Sequence, residues 1–250
     1  MKMEKEFKRP NCLVDTTLHY CPGCGHGIAH RLVCEVLEEM NLVGNTIGVI
    51  PVGCAGPAYN YFTFDVILGP HGRGPAIATG IKRALPDRTV FTYQGDGDLA
   101  AIGTSEIIHA ATRGENITTI FVNNCVYGMT GGQMAPTTLP EMHTATSPLG
   151  RNTNTDGYPI RVCELLAQLD GTAYAERVAL SSPKSIMNAK KAIRKGFENQ
   201  AAGKGFSIIE VLSMCPTNWK LSPVKAQKWI EEKMMAYYPL GVFADREVKK

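Results

Sequence analysis

Thr89-Val90-Phe91-Thr92-Tyr93-Gln94-Gly95-Asp96-Gly97-Asp98 runs directly into Leu99, and the segment that follows leads to Ile117-Thr118-Thr119-Ile120-Phe121-Val122-Asn123-Asn124. Residues 89–93 are β-branched or aromatic and read as a strand. Leu99 to Arg113 is long and mostly apolar with few breakers, so it reads as one buried helix. Ile117 to Val122 reads as a second strand. A strand, a helix and a strand in this order form a right-handed βαβ unit, and the polar residues fall at the carboxyl ends of both strands.

The two polar ends suit a hard divalent cation clamped to a diphosphate. Asp96 offers a carboxylate and Asn124, 28 positions later, a side-chain carbonyl. The irregular backbone after Asn124 can add a third oxygen, from Val126. Magnesium takes about six oxygens in near-octahedral array and keeps some for phosphate and water. Gly95 and Gly97 let the backbone approach phosphate, and the helix expected from Leu99 turns its positive end toward it. A Gly-Asp turn in a nucleotide-type sheet with no ligand is the competing reading, and the Asn-Asn at this distance weakens it.

Eight cysteines occur. Cys21 and Cys24 form Cys21-Pro22-Gly23-Cys24-Gly25. Cys54 follows an expected strand over 46–52, and Cys215 follows another over 206–212. The amino terminus carries no secretory leader pattern and no apolar stretch approaches the roughly 20 residues of a membrane span. A cytoplasmic location is therefore expected, where a Cys-x-x-Cys serves metal or redox chemistry more often than a structural disulfide. A close pair plus two loop cysteines beside Gly or Pro makes a four-thiolate site, which zinc and a [4Fe-4S] cluster both accept. Ligands spread from Cys21 to Cys215 are unlike compact zinc ribbons and favour the cluster. Cys12, Cys34, Cys125 and Cys163 lie in apolar patterns and are expected as buried, inert thiols.

The Gly95-Asp96-Gly97 opening and Asn123-Asn124 close resemble the diphosphate-binding motif of thiamine diphosphate enzymes. Tyr20-Cys21-Pro22-Gly23-Cys24-Gly25-His26-Gly27, Gly53-Cys54, His71-Gly72-Arg73-Gly74 and Tyr127-Gly128-Met129-Thr130-Gly131-Gly132-Gln133 add to it. Together they resemble the thiamine diphosphate-binding beta subunit of the 2-oxoacid:ferredoxin oxidoreductases, over residues 10–216. The resemblance implies coenzyme A-dependent oxidative decarboxylation of a 2-oxoacid, of 2-oxoglutarate or branched-chain type, with electrons passing to ferredoxin. It implies thiamine diphosphate, Mg2+ and a [4Fe-4S] cluster as cofactors. By the same resemblance Cys21, Cys24, Cys54 and Cys215 hold the cluster, and Asp96, Asn124 and the Val126 carbonyl hold magnesium. Gly95, Gly97, Asp98, Gly128 and Cys54 would line the cofactor, His71 and Arg73 belong to its pocket, and Met129 faces the substrate. Pro57 stands where some members carry a Lys after the Gly-Cys. The carboxylate that activates the aminopyrimidine is implied on an alpha subunit, so this chain alone is expected to be inactive; gamma and ferredoxin-like subunits are further implied partners.

Length and charge bound the rest. A chain of 250 residues can form one α/β domain, expected over 1–250 with arms at 1–20 and 216–250. A net charge of +3 is too small to imply a nucleic-acid partner. Expected helices over 27–40, 75–85, 161–169 and 184–195 alternate with strands, which implies a doubly wound, mostly parallel sheet. A long loop from Val126 to Pro159 is expected to wrap the cofactor or a neighbouring subunit. Two other functions compete: a non-redox thiamine diphosphate decarboxylase or synthase subunit with a structural zinc site, and a zinc-stabilised binding module whose Asp96 and Asn124 are turn residues.

Overall fold

In the computed structural model, which describes residues 8–246, the expected βαβ unit lies at the centre of a seven-stranded sheet. The strands are β1 (Thr46–Ile50), β2 (Asp65–Leu68), β3 (Thr89–Gly95), β4 (Thr118–Asn123), β7 (Thr172–Ala179), β8 (Phe206–Leu212) and β9 (Gly241–Asp245). A separate antiparallel pair is made by β5 (Val126–Tyr127) and β6 (Gln133–Met134). The sheet order is β2-β1-β3-β4-β8-β7-β9, parallel throughout except for β9, which runs antiparallel to β7. Every residue of β1, β4 and β8 is buried, as central parallel strands covered on both faces must be.

Helices cover both faces. On one lie α1 (His26–Glu39) and α6 (Pro183–Ala201), joined by Lys190, whose Nζ reaches Glu35 at 2.8 Å and Glu39 at 2.6 Å. On the other lie α2 (Gly74–Ala84), α3 (Thr104–Thr112) and, after the four-residue α4 (Thr153–Asp156), α5 (Val162–Ala167). Two apolar cores result, one on each face. Val33, Leu37, Ile193 and Phe197 belong to the first, and Ile107, Ala111, Val162 and Leu166 to the second. Beyond β8 come α7 (Pro216–Trp219) and α8 (Pro223–Trp229).

From β1 the chain steps outward to β2, then returns to place β3 on the other side. That reversal opens a crevice beyond the carboxyl ends of β1 and β3, the place where open α/β sheets bind ligands. Pro51 to Cys54 leave β1 there, and Gly95 to Asp98 leave β3.

One expected element breaks in two. Residues 98–102 form a π-helical turn and α3 begins only at Thr104, with Gly103 N–H donating to the Asp98 carbonyl at 2.8 Å. An added Cβ at Gly103 would lie 2.6 Å from the Asp98 carbonyl oxygen and 2.7 Å from that of Gly72. The backbone packs so closely there that the ladder must widen, and such bulges gather at functional sites. Strands β2 and β9 were not expected. Both are short edge strands with alternating or partial exposure, which weakens their pattern. β9 draws the carboxyl-terminal stretch back into the sheet.

Candidate functional site

A cavity of about 250 Å3 lies in the crevice. Its wall includes Cys54, His71, Gly95, Asp96, Gly97, Asp98, Asn124, Val126, Gly128 and Met129, drawn from four separate segments.

Asp96 is only 3 % exposed. Burial pushes its carboxyl up to about 7, against the opposing pull of the Thr137 hydroxyl and the amides of Gly97, Asn124 and Val126. The Thr137 hydroxyl donates at 2.9 Å and the Gly97 amide at 2.8 Å. Thr137 comes from the long loop after β6. That loop is held by the buried guanidinium of Arg151, which donates to the carbonyls of Pro136, Thr138 and Gly157 at 3.1, 2.7 and 2.9 Å. The far end of the motif turns through Cys125, whose φ is 62°. Asn123 Oδ1 accepts from the Cys125 amide at 3.1 Å and Asn124 Oδ1 from the Val126 amide at 3.2 Å. The indole of Trp219 in α7 donates to the Asn124 carbonyl at 3.0 Å and fixes the turn from outside.

These residues fit a cation and a diphosphate. A buried carboxylate with no Lys or Arg paired to it among the described residues lowers its charging cost when a cation arrives. A Cβ on Gly95 would meet open space, and one on Gly97 would lie 2.7 Å from the Tyr127 ring. The Gly97 position therefore demands glycine, while Gly95 leaves room for a ligand. Val126 presents its amide toward Asp96.

The four cysteines singled out in the sequence come from three loops. Cys21 and Cys24 precede α1, and the Cys24 amide donates to the Cys21 carbonyl at 3.0 Å. Cys54 follows β1 and Cys215 follows β8. A Cβ at Gly128 would stand 3.3 Å from Cys54 Sγ and 3.7 Å from Cys215 Sγ, so this peptide lies against both sulfurs. Burial pushes the Cys24 thiol up to about 11 and the Cys54 thiol to about 12, and neighbouring thiols of the same group push further in the same direction. Burial likewise raises the Cys215 thiol, with the Asn218 amide, which donates to its Sγ at 3.2 Å, pulling back. Four thiols close enough to feel one another are the soft donor set that a multinuclear metal group takes, its positive charge displacing their protons on binding. Among the described residues no three His, Cys, Asp or Glu side chains are arranged around a single metal-ion position.

The chain matches the model of the thiamine pyrophosphate enzyme C-terminal TPP-binding domain over residues 51–211. The ketoisovalerate oxidoreductase subunit VorA of Methanothermobacter thermautotrophicus is 47 % identical over 97 % of this chain and 51 % of its own length. The 2-oxoglutarate synthase subunit KorB of Methanocaldococcus jannaschii is 37 % identical over 85 % of this chain and 77 % of its own. The chain belongs to the thiamine diphosphate-binding subunits of the 2-oxoacid:ferredoxin oxidoreductase family. It spans about half the length of the VorA relatives. In fold it matches the solved 2-oxoglutarate:ferredoxin oxidoreductase from Magnetococcus marinus, with a TM-score of 0.80 over 100 % of this chain and 88 % of that one at 22 % identity.

Within this family member, most of the residues singled out in the sequence meet at one cavity; Arg73, Cys21, Cys24 and Cys215 are not on its wall. The Arg73 guanidinium pairs with Glu106 on α3, because its place just before α2 points it across the helix pair. Pro57, in a short 3-10 turn over 56–60, also stays off the wall. Asp98 lines the cavity, yet its carboxylate is engaged by His71 Nδ1 at 2.6 Å, by the Gly72 amide at 2.7 Å and by the Gln94 amide at 2.5 Å. It therefore braces the turn that carries His71. Met129 stands on the rim, 54 % exposed. Cys12, Cys34, Cys125 and Cys163 are buried free thiols, as their apolar settings implied. Thr137, Arg151 and Asn218 gave no signal in the sequence, since their hydrogen bonds depend on how the loops fold over one another and not on a local motif. Among the described residues no helix is long and apolar enough to cross a membrane.

Proposed function

We propose that the chain is the thiamine diphosphate-binding beta subunit of an enzyme that converts a 2-oxoacid and coenzyme A to acyl-CoA and CO2, passing electrons to ferredoxin. One observation carries the reading: the loop bearing Cys54 forms part of the same cavity wall as Asp96 and Asn124. An electron acceptor held by the four thiols would thus border the cofactor.

Asp96, Asn124 and the carbonyl of Val126 would hold Mg2+, and Cys21, Cys24, Cys54 and Cys215 a [4Fe-4S] cluster. When bound, thiamine diphosphate supplies the electron sink for decarboxylation and the cluster supplies one-electron redox capacity. The chain's own residues orient and enclose. Thr137 and the Gly97 amide fix the Asp96 carboxylate before the metal arrives, which removes reorganisation from binding. His71, held by Asp98, presents its ring to the cavity as a polar group beside the cofactor. Val52, Ala101, Ile102 and Met129 supply an apolar wall. That wall favours a branched-chain 2-oxoacid over 2-oxoglutarate, whose second carboxylate calls for a cation; the ketoisovalerate relatives share the higher identity. The carboxylate for the aminopyrimidine would come from an alpha partner, with ferredoxin docking on the assembled complex in the cytoplasm.

The decisive experiment purifies the complex without oxygen and assays iron, acid-labile sulfide, zinc and thiamine diphosphate per chain. Turnover with 2-oxoisovalerate, 2-oxoglutarate and pyruvate follows, with ferredoxin as acceptor. At least four iron and four sulfide per chain, with the highest kcat/KM on 2-oxoisovalerate, is the expected result. Zinc in place of iron would instead favour a non-redox thiamine enzyme. Asp96→Ala should abolish magnesium-dependent retention of the cofactor while leaving iron content unchanged; undiminished retention refutes the metal assignment.

A further inference from the structure

His26, the first residue of α1, sits at the junction of the cysteine loops and the cavity and has no role so far. The residue is 2 % exposed and forms part of the same wall as Asp96 and Cys54. It stacks on Tyr20 with centroids 4.9 Å apart and planes at 16°, so its orientation is set by packing. Nδ1 lies 2.9 Å from the phenol oxygen of Tyr93 on β3.

That bond decides the tautomer. Tyr93 is fully buried, and His26 Nδ1 is the hydrogen-bond partner of its phenol among the described residues. A buried phenol directs its proton to an available acceptor, so Tyr93 donates and Nδ1 accepts. The imidazole proton then sits on Nε2. Nε2 makes no hydrogen bond to the protein among the described residues, yet it is not among the sealed, partnerless interior atoms, which include His30 Nδ1 and Gln94 Oε1. It therefore keeps accessible surface, and the void its ring borders is the cavity.

We propose that His26 Nε2–H donates a hydrogen bond to the ring portion of bound thiamine diphosphate, aligned by Tyr93. The inference rests on the cofactor reading above and deepens it. The Asp96–Asn124 pair serves the diphosphate through its metal, whereas His26 shares its surroundings with Cys24 and Cys54, whose thiols both lie near Tyr93 and Tyr20.

Calorimetric titration of the assembled complex, with saturating Mg2+, tests it with two ligands: thiamine diphosphate and inorganic pyrophosphate. His26→Phe keeps the ring and removes the donor. It should weaken thiamine diphosphate about tenfold, the order of one buried hydrogen bond left unmade, and leave pyrophosphate unchanged. His26→Gln retains a donor and should recover most of the loss. Tyr93→Phe, which frees the imidazole, should give a smaller loss of about threefold; it also keeps the test alive if His26→Phe does not fold. Equal affinity of His26→Phe and wild type for thiamine diphosphate overturns the inference, as does an equal loss for both ligands, which would mean structural damage. A wild-type complex that binds pyrophosphate but no thiamine diphosphate refutes the cofactor reading itself, and this inference with it.

Discussion

Arg177→Met should unfold this chain far more easily than its position, remote from the cavity, suggests. Arg177 on β7 and Glu210 on β8 are both wholly buried, register partners, and joined Nε to Oε2 at 2.9 Å. The other Glu210 oxygen accepts from Asn123 Nδ2 at 2.8 Å, next to the proposed metal ligand Asn124. Arg177 also donates to Glu164 at 3.0 Å and to the Pro239 carbonyl at 3.1 Å, under the rings of Tyr238 and Phe243. Methionine matches much of the volume but strands Glu210 as a buried anion. Breaking such a pair from one side costs about 3–5 kcal/mol. For a chain of this size that is a drop in Tm of roughly 10 °C. Thermal and urea denaturation of the apo chain would measure it. Arg177→Met combined with Glu210→Leu should recover part of the loss, because two apolar groups can replace a buried pair at little cost. A single variant that melts within about 2 °C of wild type, or a double variant no better than the single, refutes the reasoning.

Three further outcomes follow from the same geometry. Gly103→Ala should destabilise by about 2 kcal/mol or more, since its Cβ would meet backbone oxygens of Asp98 and Gly72 that cannot swing away; a melting curve like that of wild type would contradict the close approach. Thr137→Val removes a donor to Asp96, so magnesium should bind several-fold more weakly at pH 7 with little change in melting temperature; titration calorimetry reads it. Burial lowers the pKa of His30 well below its ordinary value. The unfolded chain takes up that proton below about pH 6.5 while the folded chain does not. Its share of stability is therefore complete above that pH and falls as pH drops toward the depressed value. His30→Gln should flatten the loss of urea-midpoint stability between pH 6.5 and 5.

Much of the candidate site could be read before folding because its signals are local. Gly-Asp-Gly and Asn-Asn end strands whose apolar runs are unmistakable, and Cys-x-x-Cys needs no neighbours to be noticed. Arg73 illustrates the limit. It stands two positions from His71 in a glycine-rich stretch, yet one ring borders the cavity and one guanidinium pairs with Glu106, because the turn through Gly72, whose φ is 79°, separates them. The unbroken helix expected from Leu99 fails for a related reason. The composition is helical, but the approach of Gly72 to Gly103 forces a wider turn.

The order of residues by itself determined the central βαβ unit, the mostly parallel sheet and the identity of the polar and thiol groups at its loop ends. Backbone propensity and apolar periodicity act over a few residues, so they are written locally. Only the tertiary structure decided that Cys54 and Cys215 flank Gly128, that Thr137 steadies Asp96, and that Tyr93 sets the face His26 offers to the cavity. Those contacts join segments far apart in the chain, and they exist only once the strand order has been chosen and two separate cores have closed over the sheet.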